Sequence, residues 1–347
     1  MPPHENLPNQ QRETPKMTQT RRLFLKTATL GAASTLALPA YLRRANAAQS
    51  MTIATLHGDE DPDVRTWIKV SELAEEKLPG AFSFNIVKNS ALGGEKEMAQ
   101  GMRLGSIQGA MTTVSVMSAY VPETQILDLP FLFRDADHLE AATSGPTGQR
   151  LAERLAASNF IVPAYINYGA RHLLTKEPIT TPDQMQGKAM RVIQSPLHTK
   201  LWSSYGANPT GIPITETYNA LSTGVADCMD LTKGAYAAFK LYEVVPCMTE
   251  TAHIWAAGVV SYSSLFWNGL SDEQRQALTE ATVEGAAHFN TLMFADEDVA
   301  MAEAAAAGGK LLQPEERDAW VAGAQPVWEE MSGVVGGQDA IDEVLNT

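Results

Sequence analysis

An arginine stands in the middle of a short apolar run of this sequence. Arg191 follows Ala189 and Met190 and precedes Val192 and Ile193. Such a run is typical of a buried strand, where a fixed cation costs free energy unless an anion meets it. A guanidinium offers parallel N–H donors that match the two oxygens of a carboxylate. Arg191 is therefore a candidate carboxylate-binding residue, with a structural Asp or Glu as the alternative partner.

Other polar side chains lie beside apolar segments in the same way. Arg171 stands in the segment Tyr168-Gly169-Ala170-Arg171-His172, where a salt bridge at a domain boundary is one interpretation. Thr112, Thr113 and Ser115 stand at the end of a predicted strand. Their hydroxyl groups either bind a ligand or hydrogen bond to the backbone.

Sequence motifs for nucleophilic, metal or dinucleotide chemistry are missing. There is no G-x-S-x-G, H-E-x-x-H, G-x-G-x-x-G or C-x-x-C. Cys228 and Cys247 are the only cysteines, and either a disulfide or two buried thiols fits them. The seven histidines lie apart from each other and from the cysteines. We therefore expect no metal site, no cofactor and no enzyme activity.

The elements that must position these side chains alternate between strand and helix patterns. Helices are predicted at 63–77 and 93–104, between strands at 52–57, 81–88 and 109–116. This βαβαβ order predicts a parallel sheet with helices on both faces. Beyond an apolar connector at 126–133 the patterns predict a helix near 138–157, strands at 161–165, 170–175, 189–193 and 260–264, and one long helix at 271–307.

The first 47 residues have the order of an export signal. Arg21 and Arg22 precede Phe-Leu-Lys, an apolar stretch at 27–40 and the small-residue site Ala-Asn-Ala at 45–47. The stretch is shorter than the roughly 20 residues that a bilayer requires. We expect a twin-arginine signal peptide at 1–47, beginning at Met1 or Met17, and export to the periplasm.

The remaining chain is strongly acidic. The whole sequence has 26 Lys and Arg against 40 Asp and Glu, and removing the seven basic and two acidic residues of 1–47 leaves 19 and 38, a formal charge of −19. Such a surface repels nucleic acid and anionic lipid, so we expect neither as a partner. We also expect no membrane-spanning segment after the signal. About 300 residues are enough for two domains.

Several motifs occur in the order seen in one known family. These are Gly93-Gly94-Glu95-Lys96-Glu97-Met98, Val121-Pro122-Glu123 with Leu127-Asp128-Leu129-Pro130-Phe131-Leu132-Phe133-Arg134, Gly187 with Arg191-Val192 and Ser195-Pro196, Gly206-Ala207-Asn208-Pro209-Thr210, and Tyr218-Asn219-Ala220-Leu221. Over nearly all of 50–335 the sequence resembles the solute-binding subunits of tripartite ATP-independent periplasmic (TRAP) transporters, of the dicarboxylate-type (DctP) family.

The resemblance implies an α/β fold: a two-domain, type II-like periplasmic binding protein with a ligand cleft between the domains and a long C-terminal helix crossing both. We place domain I at 48–168 and about 259–298, and domain II at 169–258 and about 299–347. The resemblance further implies that Arg191 pairs with the carboxylate of a small organic acid, that Arg171 is a second donor, and that a TRAP membrane permease receives the ligand. An ABC-type binding protein and a periplasmic enzyme are the alternatives.

One segment departs from the family pattern. Where many relatives read approximately Gly-Gln-Glu-Asn-Pro, with the asparagine on the ligand, this chain has Leu231 at the asparagine position and Asp230 before it. Losing an amide removes a donor and an acceptor, and Leu231 and Trp255 suggest a more apolar pocket. We hypothesise a monocarboxylate with an apolar or aromatic body. Two alternatives stay open: Leu231 is plain core, or Asp230 binds an ammonium group of the ligand.

Overall fold

A computed structural model describes residues 48–347 of the chain, so the predicted signal peptide lies outside the described residues. The strands of the described part are β1 (Gln49–Ala54), β2 (Phe82–Val87), β3 (Gly109–Thr113), β4 (Phe160–Thr175), β5 (Ala189–Val192), β6 (Asn208–Gly211), β7 (Cys228–Thr232), β8 (Cys247–Ser263) and β9 (Lys310–Leu312). Its α-helices are α1 (Pro62–Lys77), α2 (Glu95–Leu104), α3 (Val114–Met117), α4 (Ala136–Ser144), α5 (Pro146–Ala157), α6 (Pro196–Ser204), α7 (Ile214–Ser222), α8 (Lys233–Ala238), α9 (Ser264–Trp267), α10 (Asp272–Ala306), α11 (Arg317–Val335) and α12 (Gln338–Leu345).

All nine strands belong to one sheet that serves two lobes. Its order is β2-β1-β3-β8-β4-β7-β5-β6, with β9 paired to β8. We call lobe I the part formed by β1, β2, β3 and the segments 160–167 and 258–263, which pair with each other. Lobe II is formed by β5, β6, β7 and β9 with the segments 170–175 and 247–255. The parallel pairs predicted from the βαβαβ order are present in lobe I.

Two long strands, β4 and β8, run from one lobe to the other. They have 16 and 17 residues, which at about 3.3 Å per residue reach roughly 50 Å. The ladder between them is interrupted between Asn167 and Ala170, where Gly169 has φ +93°. A left-handed residue at this point bends β4, and glycine is the residue that adopts that conformation without strain. Gly169 therefore marks the passage between the lobes.

The helix α10 crosses both lobes, as predicted. Ser271 caps it, since its hydroxyl accepts from the Gln274 N–H at 3.2 Å while the Gln274 amide oxygen accepts from the Ser271 N–H at 3.0 Å. Its 35 residues pack against α1 and β4 and then against α8 of lobe II. The chain that follows packs against both lobes, because α11 contacts α6 and α12 contacts α5.

Three predicted elements differ in detail. The strand predicted at 109–116 ends at Thr113, because Thr113 caps the short helix α3 through the Val116 N–H. Ser115 therefore lies on a helix. The helix predicted near 138–157 is two helices, α4 and α5, which meet where Gly145 precedes Pro146. The strands predicted at 161–165 and 170–175 are both parts of β4.

The two cysteines are free and buried. Thr175 of β4 pairs with Cys228 on one side and with Cys247 on the other, so a whole strand separates the two thiols. Two strand spacings amount to about 9.5 Å, more than a disulfide spans. Of the two alternatives left open by the sequence, the structure shows the thiols. No helix among residues 48–347 combines the length and the apolar character needed to cross a membrane.

Candidate functional site

The carboxyl ends of parallel strands in both lobes face a common cavity. Leu56 and His57 follow β1, Thr113 ends β3, Gln194 follows β5 and Leu231 lies in β7. Ligands of open α/β sheets bind at such strand ends. The cavity has a volume of about 80 Å³ and lies between the lobes. Its apolar lining comes from both of them: Leu56, Met111 and Val116 from lobe I, and Ile193, Pro213, Ile214, Leu231, Ala235 and Phe239 from lobe II.

Arg191 is buried at this cavity with only part of its guanidinium engaged. It lies on β5 between β6 and β7, is 2% exposed and donates from Nε to the Ile212 carbonyl oxygen at 2.9 Å. Among residues 48–347 no side chain forms an ion pair with it, and its two terminal nitrogens have no hydrogen-bond partner. Burial, together with the nearby Arg171, lowers the pKa of Arg191 to about 10. The group thus stays cationic at neutral pH without a direct ion pair in the described chain, while the more distant charges of Asp230 and Glu95 act to raise its pKa.

Arg171 is also buried at the cavity, but it is paired. Its Nε donates to Asp230 Oδ2 at 2.6 Å and its Nη2 donates to the Asp230 carbonyl oxygen at 2.7 Å. The salt bridge that the sequence left as an alternative is therefore present. Burial would raise the pKa of Asp230, but Arg171, His198 and His253 hold it well below its usual range.

Asp230 and Ser115 belong to a buried polar network behind the cavity. His253 Nε2 lies 3.2 Å from Asp230 Oδ2, and His198 Nδ1 lies 3.7 Å from the same oxygen. On the other side of His198, Nε2 lies 3.4 Å from Ser115 Oγ, which donates to Asp128 Oδ2 at 2.6 Å. The network connects β7 of lobe II with α3 of lobe I.

The predicted site residues therefore separate into two groups. Arg191, Arg171, Thr113 and Leu231 line the cavity. The other four lie outside its lining: Thr112, Ser115, Asp230 and Trp255. The reasons are visible in the structure: Ser115 and Asp230 bond within the protein, Thr112 is fully buried in β3, and Trp255 packs against the main apolar core. The Thr112 hydroxyl has no hydrogen-bond partner among the described residues.

Glu95 is a cavity residue that the sequence reasoning missed. It begins α2, and its Oε1 accepts from the Thr113 N–H at 2.5 Å. Burial raises its pKa, while the Thr113 N–H and the two arginines act in the opposite direction. The Gly93-Gly94-Glu95 motif contained the signal, but an acidic residue in a first helical turn is also expected from the helix dipole alone.

His57 is the second residue that was missed. Its Nδ1 lies 3.1 Å from Asp63 Oδ2, and its ring centroid lies 4.8 Å from that of Phe239. Because His57 belongs to lobe I and Phe239 to lobe II, this ring contact bridges the cleft. Its Nε2 is buried and has no hydrogen-bond partner in the described part of the chain.

Comparison with known proteins identifies the family of this chain. The sequence profile of the bacterial extracellular solute-binding proteins, family 7, matches residues 53–333. A solute-binding protein of Sulfitobacter sp. (strain NAS-14.1) is 29% identical over 324 residues, which cover 92% of this chain and 98% of the relative. A C4-dicarboxylate-binding periplasmic protein of Shewanella loihica is 27% identical, over 83% of this chain and 86% of its own length.

A solved structure has the same fold. It is a TRAP periplasmic solute-binding protein of Sulfitobacter sp. NAS-14.1 with bound α-D-taluronate. The two chains superpose with a TM-score of 0.82 at 28% identity, over 86% of this chain and 97% of the other.

Proposed function

Because this chain belongs to family 7 of the bacterial extracellular solute-binding proteins, we propose that its interlobe cavity binds one organic acid, whose carboxylate pairs with Arg191. It is a TRAP solute-binding protein, and such proteins work with membrane permeases. The ligand is captured between the lobes and handed to the permease without a chemical reaction. Export through a twin-arginine signal at 1–47 is part of the same proposal.

One observation carries the proposal: the buried guanidinium of Arg191 forms no direct ion pair among the described residues. An uncompensated buried charge is costly, so an anion that enters the cavity gains a strong, charge-assisted pair. Because Arg171 is already neutralised by Asp230, its role is that of a second donor facing the cavity. Glu95 and Thr113 contact the ligand from lobe I, whereas Asp230 positions Arg171.

The body of the ligand is proposed to be apolar or aromatic. Leu231 lies in the cavity wall with Met111, Val116, Ile193 and Phe239 around it. These side chains offer dispersion contacts and no hydrogen bonds to a ligand rich in hydroxyl groups. The relatives bind C4-dicarboxylates or, in the solved structure, a taluronate, so the ligand class of this chain is expected to differ from theirs.

We propose that the lobes are the two predicted domains, 48–168 with about 259–298 and 169–258 with about 299–347. Ligand binding then favours the closed arrangement. A ligand can contact Arg191 of lobe II and Glu95 of lobe I at the same time only when the lobes meet. The bend at Gly169 and the break in the β4–β8 ladder are where the lobes turn relative to each other.

A panel of acids tests the proposal. Thermal unfolding of the chain without its first 47 residues is measured with hexanoate, phenylacetate, 3-phenylpropionate, succinate and galacturonate, each over a range of concentrations. A concentration-dependent rise in Tm with the first three supports the proposal. A rise with succinate or galacturonate alone would contradict the apolar ligand class, and no rise with any carboxylate would contradict the function of Arg191. Unchanged acid concentrations after long incubation distinguish binding from turnover.

A further inference from the structure

His57 is held at the cavity by a neighbouring carboxylate. Asp63 of α1 is buried, and its Oδ2 lies 3.1 Å from His57 Nδ1. A carboxylate only accepts hydrogen bonds, so Nδ1 carries a hydrogen and the other ring nitrogen, Nε2, is left for a different partner. The Phe239 ring packs against the imidazole of His57, with the two ring centroids 4.8 Å apart.

The free nitrogen belongs to a residue that lines the same cavity as Arg191. His57 and Arg191 both line the cavity, and Nε2 is buried without a hydrogen-bond partner in residues 48–347. Buried polar atoms of folded proteins are nearly always hydrogen bonded. A ligand in the cavity can provide the partner that Nε2 lacks.

We propose that His57 Nε2–H donates a hydrogen bond to a second, uncharged oxygen of the ligand, and that His57 thereby determines its class: a monocarboxylate with an apolar body and one carbonyl-type oxygen. This inference rests on the proposed function, since Arg191 holds the carboxylate. Its subject is what the ligand carries besides the carboxylate.

The charges nearest to His57 disfavour a second carboxylate beside it, although Lys96 and Arg171 also line the cavity. Asp61 and Asp63 face it from the start of α1, and Glu95 faces it from α2. On the side of lobe II the ring meets uncharged Phe239, while Lys240, Glu60 and Glu303 line the adjoining opening of the cleft. A second anionic group would approach three carboxylates, whereas a ketone oxygen accepts the same hydrogen bond without that repulsion.

Donation from Nε2 requires the imidazolium form. Since Nδ1–H is directed at Asp63, neutral His57 presents a lone pair at Nε2, which repels the lone pairs of a carbonyl oxygen. Burial alone would lower the pKa of His57, but Asp63, with smaller contributions from Asp61 and Glu95, raises it above 6.5. Binding of the oxygen is therefore favoured below that pKa and lost as pH rises through it.

Matched pairs of acids isolate this hydrogen bond. The pairs are 4-oxopentanoate with 4-methylpentanoate, 5-oxohexanoate with 5-methylhexanoate, and 6-oxoheptanoate with 6-methylheptanoate, in which an oxygen replaces a methyl group at increasing distance from the carboxylate. Calorimetric titration of the wild-type chain at pH 6 should show at least one oxo-acid binding about tenfold or more tightly than its methyl partner. At pH 9 the ratio of the two Kd values should approach one, and effects common to both acids cancel in that ratio.

Two variants of His57 separate hydrogen bonding from shape. His57→Gln keeps an N–H donor that does not titrate, so it should retain the oxo-acid preference at both pH values. His57→Leu should lose the preference, so that each oxo-acid and its methyl partner bind it equally. His288→Gln on α10, which lines neither the cavity nor the adjoining opening, is the control and should behave as wild type.

Equal binding within all three pairs, a preference that persists in His57→Leu, or a preference independent of pH would each overturn the inference. Binding of none of the six acids would also overturn it, because the proposal names their class. If succinate or galacturonate then binds and depends on Arg191, the carboxylate-binding function stands and the assigned class alone is wrong.

Discussion

Arg171 and Asp230 form a buried ion pair in which both partners are almost completely shielded from solvent and Nε lies 2.6 Å from Oδ2. The pair occupies neighbouring positions of β4 and β7, and Arg191 follows on the next strand, β5. Two cations thus face one cavity: Asp230 forms an ion pair with Arg171, and Glu95 lines the same cavity without an ion pair to either arginine. The consequence is an asymmetric site: Arg171 is compensated by the protein, and Arg191 is compensated by the ligand.

Replacing Arg191 should abolish most of the binding. In Arg191→Met the apolar stem is kept and the charge is removed, so we expect affinity for the best acid of the panel to fall by about 2–5 kcal/mol. Calorimetric titration measures the change. Arg154→Met is the matched control, because Arg154 is exposed and pairs with Glu123 on the surface. Binding in Arg191→Met equal to that in Arg154→Met would contradict the role of Arg191.

Arg171 and Arg191 should differ in their effect on stability. Arg171→Met leaves Asp230 buried without its cation, and breaking such a pair costs about 3–5 kcal/mol of unfolding free energy. Arg191→Met removes a buried charge that has no partner ion among the described residues, so the ligand-free protein should be as stable as wild type or more stable. Urea unfolding of the two ligand-free variants gives the comparison. A loss in Arg191→Met as large as in Arg171→Met would show that Arg191 is a structural residue.

Stability should fall with acid because of His172. Burial, with Lys233 and His253 nearby, lowers the pKa of His172 to about 3, so the folded protein binds this proton only below that value. The unfolded chain binds it at about 6.5. Between these two values the unfolding free energy should therefore decrease as pH falls, by about 1.4 kcal/mol per pH unit for this one group.

His172→Asn tests that slope. The Nδ1 of His172 accepts from the Ala252 N–H at 3.3 Å, and the asparagine oxygen provides an acceptor at a similar position. Urea unfolding at pH 7.0, 5.5 and 4.5 should show a shallower pH dependence in His172→Asn than in wild type or in the control His288→Asn. A slope identical in all three proteins would refute the assignment.

Gly169 should tolerate alanine poorly for a reason other than crowding. No atom lies within 4 Å of a Cβ built there, but its φ of +93° is strained for any side chain. We expect Gly169→Ala to lower the unfolding free energy by about 1–2 kcal/mol. Gly333→Ala in α11 is the control, since its Cβ also meets open space and its φ is not positive, and it should gain up to about 1 kcal/mol. Thermal unfolding of both variants decides whether the bend at the lobe passage depends on glycine.

Sequence patterns predicted most of the frame because they are local. The apolar run around Arg191, the capped helix after Ser271 and the βαβαβ order all follow from periodicity and end signals. The division of the helix near 138–157 was missed although Gly145-Pro146 is itself a local stop signal. The end of β3 was predicted wrongly for a similar reason. Thr113 caps a helix inside a segment whose residue pattern is typical of a strand.

The site was less predictable because it depends on contacts between distant segments. Whether Arg171 meets Asp230 is decided by the register of β4 against β7, which no local pattern contains. His57 was overlooked because only the packing of the folded chain shows that its Nε2 has no hydrogen-bond partner among the described residues. Leu231 lies in the cavity wall because it stands near the carboxyl end of β7, which reaches the cleft.

The burial of Cys228 beside Thr175 means that its rate of alkylation reports how often the sheet opens. Burial raises the pKa of Cys228 to about 12, and its strand β7 lies between β4 and β5, so an alkylating reagent reacts with it only after these strands come apart. The rate of modification then measures how often this part of the sheet opens, and no engineered cysteine is required. A bound acid that holds the lobes together should slow this modification. The rate at Cys228, which lies outside the cavity lining, would then report whether the cavity is occupied.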